Sequence, residues 1–273
     1  MVKRVLGLTV VVILIGAAGA YVLSAGQGTP KTSAAAPPAT DVAKMPLVNI
    51  NVVQIKPELV DEWMEFQKSE TMPALQKAGV RTRTAVATVI GPAFEYAFLT
   101  RPENFAERDG DNPIVKALGR DGARAYAQKN RRFVASQRSY VARMRTDLSY
   151  QLDPTAQLPV AVLSNYTIVP GHMADFESYI RNDMTPAHKQ VKSGGFLVYQ
   201  GLFGGEGNSF VVAALMHNFA ELDNGPAITR AYGPAKAAAI QQKLGGFVTR
   251  VERTVSRQVP ELSFSPRAVS ENR

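Results

Sequence analysis

The sequence predicts an α+β fold: two tandem β-α-β-β-α-β units packed sheet to sheet as one intramolecular barrel. Three observations predict it. The chain aligns with itself at an offset of 113 to 114 residues, with single-residue gaps. Each copy passes through the same order of β-branched runs and helix-periodic segments. The central strands are apolar on both parities, so both sheet faces need cover.

The alignment sets Ile55-Lys56-Pro57 over Ile168-Val169-Pro170, Trp63 over Phe176 and Phe66 over Tyr179. Pro73-Ala74 falls on Pro186-Ala187, and Leu75 falls on His188. The tetrapeptide Asn104-Phe105-Ala106-Glu107 recurs unchanged as Asn218-Phe219-Ala220-Glu221. Gly119 matches Gly233, Phe133-Val134 matches Phe247-Val248, and Arg143 matches Arg257. Both copies close on Leu-Ser-aromatic, as Leu148-Ser149-Tyr150 and Leu262-Ser263-Phe264. Agreement at this density marks a duplication.

Ahead of the repeats, Lys3 and Arg4 are followed by Val5–Ala25, which carries no charge. Ala18-Gly19-Ala20 offers a signal-peptide exit, while an apolar run of about 20 residues is also long enough to span a bilayer. Residues 1–25 therefore read as a signal peptide or an N-terminal membrane anchor. Either places the remainder outside the cytoplasm, in the cell envelope, because positive charge stays inside. Residues 26–44 are a Pro/Ala-rich linker unable to build a core. The repeats are expected over 45–152 and 153–265, with a disordered tail at 266–273.

Each repeat opens on a strand, Leu47–Ile55 or Val160–Val169. Pro57 and Pro170 then stand where a first helical turn tolerates proline. Leu59, Trp63, Phe66 and Leu75 make one apolar stripe; Met173, Phe176, Ile180, Met184, His188 and Val191 make its counterpart. Pro73 and Pro186 fall inside these helices and should kink or break them. Two hairpins follow, Val80–Ile90 with Phe94–Thr100 and Phe196–Phe203 with Ser209–Met216. Gly91-Pro92 and the run Gly204-Gly205-Glu206-Gly207-Asn208 supply the turns, the latter a hairpin and not a phosphate loop because no helix follows it. Asn104 and Asn218, each with Glu three residues on, look like capping boxes. Long helices are expected over Gly119–Ser139 and Pro234–Thr254, and closing strands over Ala142–Leu152 and Val255–Phe264.

That order is the ferredoxin-like split unit, which alone leaves one sheet face bare. Phe94–Leu99 and Phe210–Met216 are apolar on both parities, Glu95 excepted. Packing the two bare faces together satisfies them. With its tandem copy and its Arg-x-x-x-x-Leu-Ser-Tyr/Phe ending, the chain resembles the dimeric α+β barrel superfamily over residues 45–265. That group includes antibiotic-biosynthesis-monooxygenase-like, NIPSNAP-like and EthD-like domains. The resemblance implies an intramolecular dimer that needs no second chain. It also implies a spread of activities, among them cofactor-free oxygenases, small-ring isomerases and haem enzymes, between which fold does not choose.

The chain has no cysteine, which excludes disulfides, thiolate metal sites and Cys nucleophiles. Its net charge of +8 is spread out, with one cluster at Lys129, Arg131, Arg132, Arg138, Arg143 and Arg145 that reads as a solvated helix face or a surface for phosphate or anionic lipid. No nucleic-acid motif accompanies it, so no nucleic-acid partner is expected. His172, His188 and His217 form no metal-ligand spacing, and the residues call for no metal and no cofactor.

His188 is the candidate catalytic residue, because it puts a group that titrates near neutrality on an apolar stripe. Its alternative is a buried histidine bonded to a neighbour. Asn49 and Asn51 share a strand face and Ser164 matches Asn51, so all three are candidate ligand contacts or backbone partners. Trp63 and Tyr199 are candidate ligand platforms or core. Arg81 and Arg83 share a strand face and read as a solvated edge. Asn165-Tyr166-Thr167 matches a glycosylation sequon but lies inside a strand. The functional expectation is a protein that binds a small, largely apolar or aromatic ligand in the barrel. The alternatives are a cofactor-free oxygenase or isomerase and a non-catalytic envelope scaffold. A site is expected to be asymmetric and in the second copy.

Overall fold

The computed structural model describes residues 41–153 and 155–265; the leader, most of the linker and the tail lie outside the described residues. Among the described residues, no helix is long and apolar enough to cross a membrane. Among the described residues the two repeats form one compact unit and fold as a single body.

The first copy holds β1 (Leu47–Ile55), α1 (Val60–Phe66), α2 (Met72–Lys77), β2 (Thr84–Ile90), β3 (Glu95–Thr100), α3 (Pro113–Phe133), β4 (Val134–Met144) and the short β5 (Tyr150–Gln151). The second holds β6 (Val160–Ile168), α4 (Met173–Tyr179), α5 (Thr185–Gln190), β7 (Gly195–Phe203), β8 (Ser209–Met216), α6 (Ala227–Tyr232), α7 (Pro234–Gln242) and β9 (Val248–Gln258). Eight strands run antiparallel in the order β4-β1-β3-β2-β9-β6-β8-β7, and β4 pairs again with β7 to close a barrel. Two seams join the copies: β2 to β9 at Val86↔Gln258, and β4 to β7 at Met144↔Tyr199. The seams are equivalent under the duplication. The tandem units therefore meet edge to edge as well as face to face.

Alternation along the strands splits the core into three layers. Val53, Ile55, Trp63, Phe66 and Phe98 pack under the first copy's helices. Ile168, Phe176, Tyr179, Phe196 and Phe210 do so in the second copy. Inside the barrel, Val48, Ala142, Tyr199 and Ala213 are buried against Ile50, Leu99, Leu163 and Leu197. This inner layer draws on both copies, as two-sided apolar strands require.

The helix-interior prolines act as expected, and in the same way twice. A proline removes one backbone donor and crowds the carbonyl four residues back. The chain widens to a π turn just ahead of each, over Gln67–Thr71 and Ile180–Met184. The α-helix restarts with Pro73 or Pro186 in its first turn.

The long helices, the closing strands and the second strand have boundaries that differ from the sequence expectation. The long helices end at Phe133 and near Phe247, and the closing strands start at once, at Val134 and Val248. The polar stretch Ser136–Ser139 reads as a helix surface, yet it belongs to β4 and pairs with Asn51–Gln54 of β1. Its side chains stay exposed because this half of the strand is uncovered. The second strand begins at Thr84, not Val80. The capping boxes form in part: Asn218 accepts from the Glu221 amide at 3.3 Å, while Asn104 makes no cap bond.

Glycine fixes the seams. Gly204, at φ +89°, turns the β7–β8 hairpin against β4, and a Cβ there would lie 2.1 Å from the Ser139 carbonyl oxygen. No other residue fits. Gly91 does the same on the opposite seam, where a Cβ would meet Thr254 Cγ2 at 2.8 Å.

The closing Leu-Ser-aromatic motif also has a structural meaning. Leu148 ends the first copy but is fully buried in the second copy's helix core; Leu262 ends the second copy and is buried in the first copy's core. Ser149 Oγ accepts from the Val198 amide at 3.0 Å, and Ser263 Oγ accepts from the Ala85 amide at 2.9 Å. Tyr150 pairs with Phe196, and Phe264 pairs with Arg83. Each repeat thus ends in a strap that completes the other one.

Candidate functional site

The structure distributes the sequence candidates over all three layers. His188 sits on α5 and is 6% exposed. Its ring stacks on Phe196 with centroids 4.2 Å apart, and its Nδ1 lies 2.9 Å from Ser193 Oγ. Burial, helped by the charge of Arg230, pushes its pKa down to about 4. At neutral pH it is an uncharged, packed imidazole. Ser164 is buried on the helix-facing side of β6 in the same copy.

Asn49 and Asn51 lie in the first copy, on the helix-facing side of β1. Asn49 Oδ1 accepts from Arg108 Nη2 at 2.6 Å. Asn51 Oδ1 accepts from Gln137 Nε2 at 2.9 Å and from Ser139 Oγ at 3.2 Å, both on β4. Tyr199 lies inside the barrel, where burial pushes its phenol pKa up. Trp63 is buried under the first copy's helices, 4.5 Å from Tyr96 and 6.1 Å from Phe98 between ring centroids. The structure does not bring these six side chains together.

A group that sequence reasoning missed lies beside Trp63. Arg83, expected at a solvated edge, is 4% exposed. Its Nη2 donates to Gln67 Oε1 at 2.8 Å, its Nη1 donates to the Met72 sulfur at 3.1 Å, and its guanidinium lies 4.0 Å over the Phe98 ring. Next to it Thr71 Oγ1 and the Tyr126 hydroxyl are 2.9 Å apart. Burial lowers the Arg83 pKa to about 10 and raises that of Tyr126. Arg83 therefore remains a cation at neutral pH in a dry layer.

The duplication supplies an internal control. Gln67, Thr71, Arg83 and Tyr126 occupy the positions of Ile180, Met184, Phe196 and Ile240 in the second copy. The same framework needs only apolar groups there. Comparison of the copies at the established offset carries this signal, and the Arg83–Phe196 equivalence follows from their shared pairing with Phe264 and Tyr150. Four polar groups in one layer are an addition to the fold.

Two solvent-open grooves also match under the duplication, one of about 610 Å³ between α1 and the end of α3, the other of about 240 Å³ in the second copy. Each carries the same ion pair, Glu70–Lys129 at 2.9 Å or Asp183–Lys243 at 2.7 Å. The basic cluster of the sequence is dispersed in the same way. Lys129 and Arg132 pair with Glu70 and Glu62, Arg138 with Glu95, and Arg143 donates to the backbone of Ala43 and Met45. Arg145 is buried. Lys129, Arg131 and Arg132 do lie solvated on α3, whereas Arg138 and Arg143 belong to β4 and Arg145 follows it.

The three histidines do not fit haem. His172 and His217 are surface groups bonded to Asp175 and Glu221, and Phe196 lies flat against the His188 ring.

No family model and no curated protein matches the chain. Solved structures do match. A candidate monooxygenase of Lactobacillus acidophilus superposes over 81% of this chain and 96% of its own at 10% identity, TM-score 0.52. An anthrone oxidase-like protein covers 80% and 93% at 12% identity, TM-score 0.54. A mutant chlorite dismutase of Candidatus Nitrospira defluvii covers 79% and 92% at 10% identity, TM-score 0.51. At such identities the likeness is one of fold. Taken with the closed eight-stranded barrel and its two equivalent seams, it gives this chain the dimeric α+β barrel fold, with both halves of the dimer on one polypeptide.

Proposed function

We propose that this protein binds a small, largely apolar or aromatic molecule in the helix layer of its first copy. The observation that carries the reading is a set of polar groups, the buried Gln67, Thr71 and Arg83 with the half-buried Tyr126, where the duplicated framework has only apolar ones. Trp63, Tyr96, Phe98 and Phe66 give that layer aromatic walls. Apolar walls with a few convergent polar groups are what small-molecule sites share. Trp63 is the chain's single tryptophan, so its emission reports on the layer directly. Titration with methyl benzoate should change that emission saturably. An unchanged spectrum up to the solubility of the probe, with no binding heat, would end this reading.

A second reading is a cofactor-free oxygenase acting on an electron-rich phenol. It draws on the neighbours described as a monooxygenase and as anthrone oxidase-like. A cation beside a bound phenol favours the phenolate, the form that gives an electron to dioxygen. Oxygen uptake with 1,8-dihydroxyanthrone tests it, and a rate equal to that of buffer alone counts against it. Lys3, Arg4 and the uncharged Val5–Ala25 support a place outside the cytoplasm, as an exported or N-terminally anchored protein. Fractionation of cells carrying the full chain would check this, and recovery in the cytosol would refute it.

A further inference from the structure

We propose that the ligand of the first copy's helix layer is a small carboxylic acid, held as its carboxylate by the Arg83 guanidinium in place of the Met72 thioether. This rests on the reading above and names its substrate class.

The argument is a comparison of two buried arginines in one chain. Arg145 is 2% exposed and fully matched. Its Nε and Nη2 donate to the two oxygens of Asp147 at 2.9 Å each, Nη2 also reaches Glu177 Oε2 at 2.9 Å, and Nη1 reaches Gln200 at 3.1 Å. Arg181 adds a second cation on Asp147 at 3.0 Å. This is how the fold satisfies an arginine that it keeps for structure. Arg83 is buried to the same degree, but its partners are a neutral amide oxygen, a thioether and an aromatic ring. Among the described residues no carboxylate pairs with it, and the phenol of Tyr126 is the one titratable group felt by its charge.

A buried cation without a counter-charge destabilises a fold. The second copy avoids this by placing Phe196 at the equivalent position. Retention of Arg83 in the first copy therefore calls for an anion that the polypeptide does not supply. The guanidinium fork matches the two oxygens of a carboxylate, whereas a thioether is a weak, single acceptor. Met72 is the partner that a carboxylate would replace with gain. Gln67, Thr71 and Tyr126 are placed to bond what the carboxylate leaves free, and Phe98 with Trp63 offers a face to an apolar body. The strap covers this layer: Pro260–Leu262 touches β2, just after Arg83, and the π turn that carries Gln67, and Phe264 pairs with Arg83 itself.

The test compares benzoate, benzamide and methyl benzoate by calorimetry on the full chain. Benzoate should bind at least tenfold more tightly than benzamide, and Arg83→Met should erase that preference. Arg83→Met should also keep or raise the melting temperature, since it removes an unpaired charge. Binding of methyl benzoate with no preference for benzoate in the unsubstituted protein overturns the carboxylate assignment and leaves the ligand layer standing. A preference that survives Arg83→Met overturns it as well. Absence of binding by all three probes overturns both.

Discussion

His188 and Arg83 exchange roles between sequence and structure, and physical chemistry explains why. Histidine on an apolar stripe stands out in a sequence, but a neutral imidazole stacked on Phe196 and bonded to Ser193 is an ordinary core residue. Its depressed pKa makes a pH prediction. The unfolded chain binds this proton near pH 6.5 and the folded chain only near 4. Stability from His188 is thus complete above about 6.5 and declines as pH falls towards 4. The loss should be on the order of 3 kcal/mol. His188→Leu, which copies Leu75, should flatten that part of the stability curve. If the acid slope persists unchanged in the variant, the assignment fails. The matched arginine gives the opposite expectation to Arg83. Burial works against the charge of Arg145, but its bonds with Glu177 and Asp147 outweigh that and hold its pKa above the ordinary value. Arg145→Met leaves Glu177 without its cation and Asp147 with Arg181 alone, and chemical denaturation should show a loss of about 3–5 kcal/mol. A loss below about 1 kcal/mol would contradict the structural role.

Elements that follow from local rules were legible in the sequence. The first strand comes out at the expected Leu47–Ile55, and the paired prolines mark both helix breaks. What the rules missed depends on tertiary cover. The stretch from Val134 to Met144 mixes Ser, Gln and Arg with apolar groups, so neither period dominates; pairing with β1 decides its state. Burial of Arg83 is equally non-local, because it depends on the strap from the far end of the chain. The strap has a measurable weight. Leu262 is fully buried in the first copy, and Leu262→Ala should cost about 2–5 kcal/mol. The same substitution at Leu148 should cost a similar amount and act on the second copy. Hydrogen exchange reads which copy loosens; loosening in the copy that carries the substitution, and not in its mate, would refute the exchange of straps.

At the scale of the whole molecule, the duplication was the strongest signal and gave the architecture, including the sheet faces hidden inside the barrel. It also marks the proposed ligand layer, since the polar substitutions of the first copy stand out once the copies are aligned position by position. The expectation of a site in the second copy rests on His188 alone. The exchanged straps carry one more consequence, for synthesis. The first copy leaves the ribosome with its helix layer unplugged, because Leu262 and Ser263 come near the end of the chain. Its sheet also lacks the β9 edge until the second copy is made. The nascent first half must therefore wait, partly open, while more than a hundred residues are added. Folding should finish in one late, cooperative step governed by contacts distant in sequence, the slow kind. A chain halted near residue 152 should be sensitive to protease, and the missing half supplied in trans should restore its resistance.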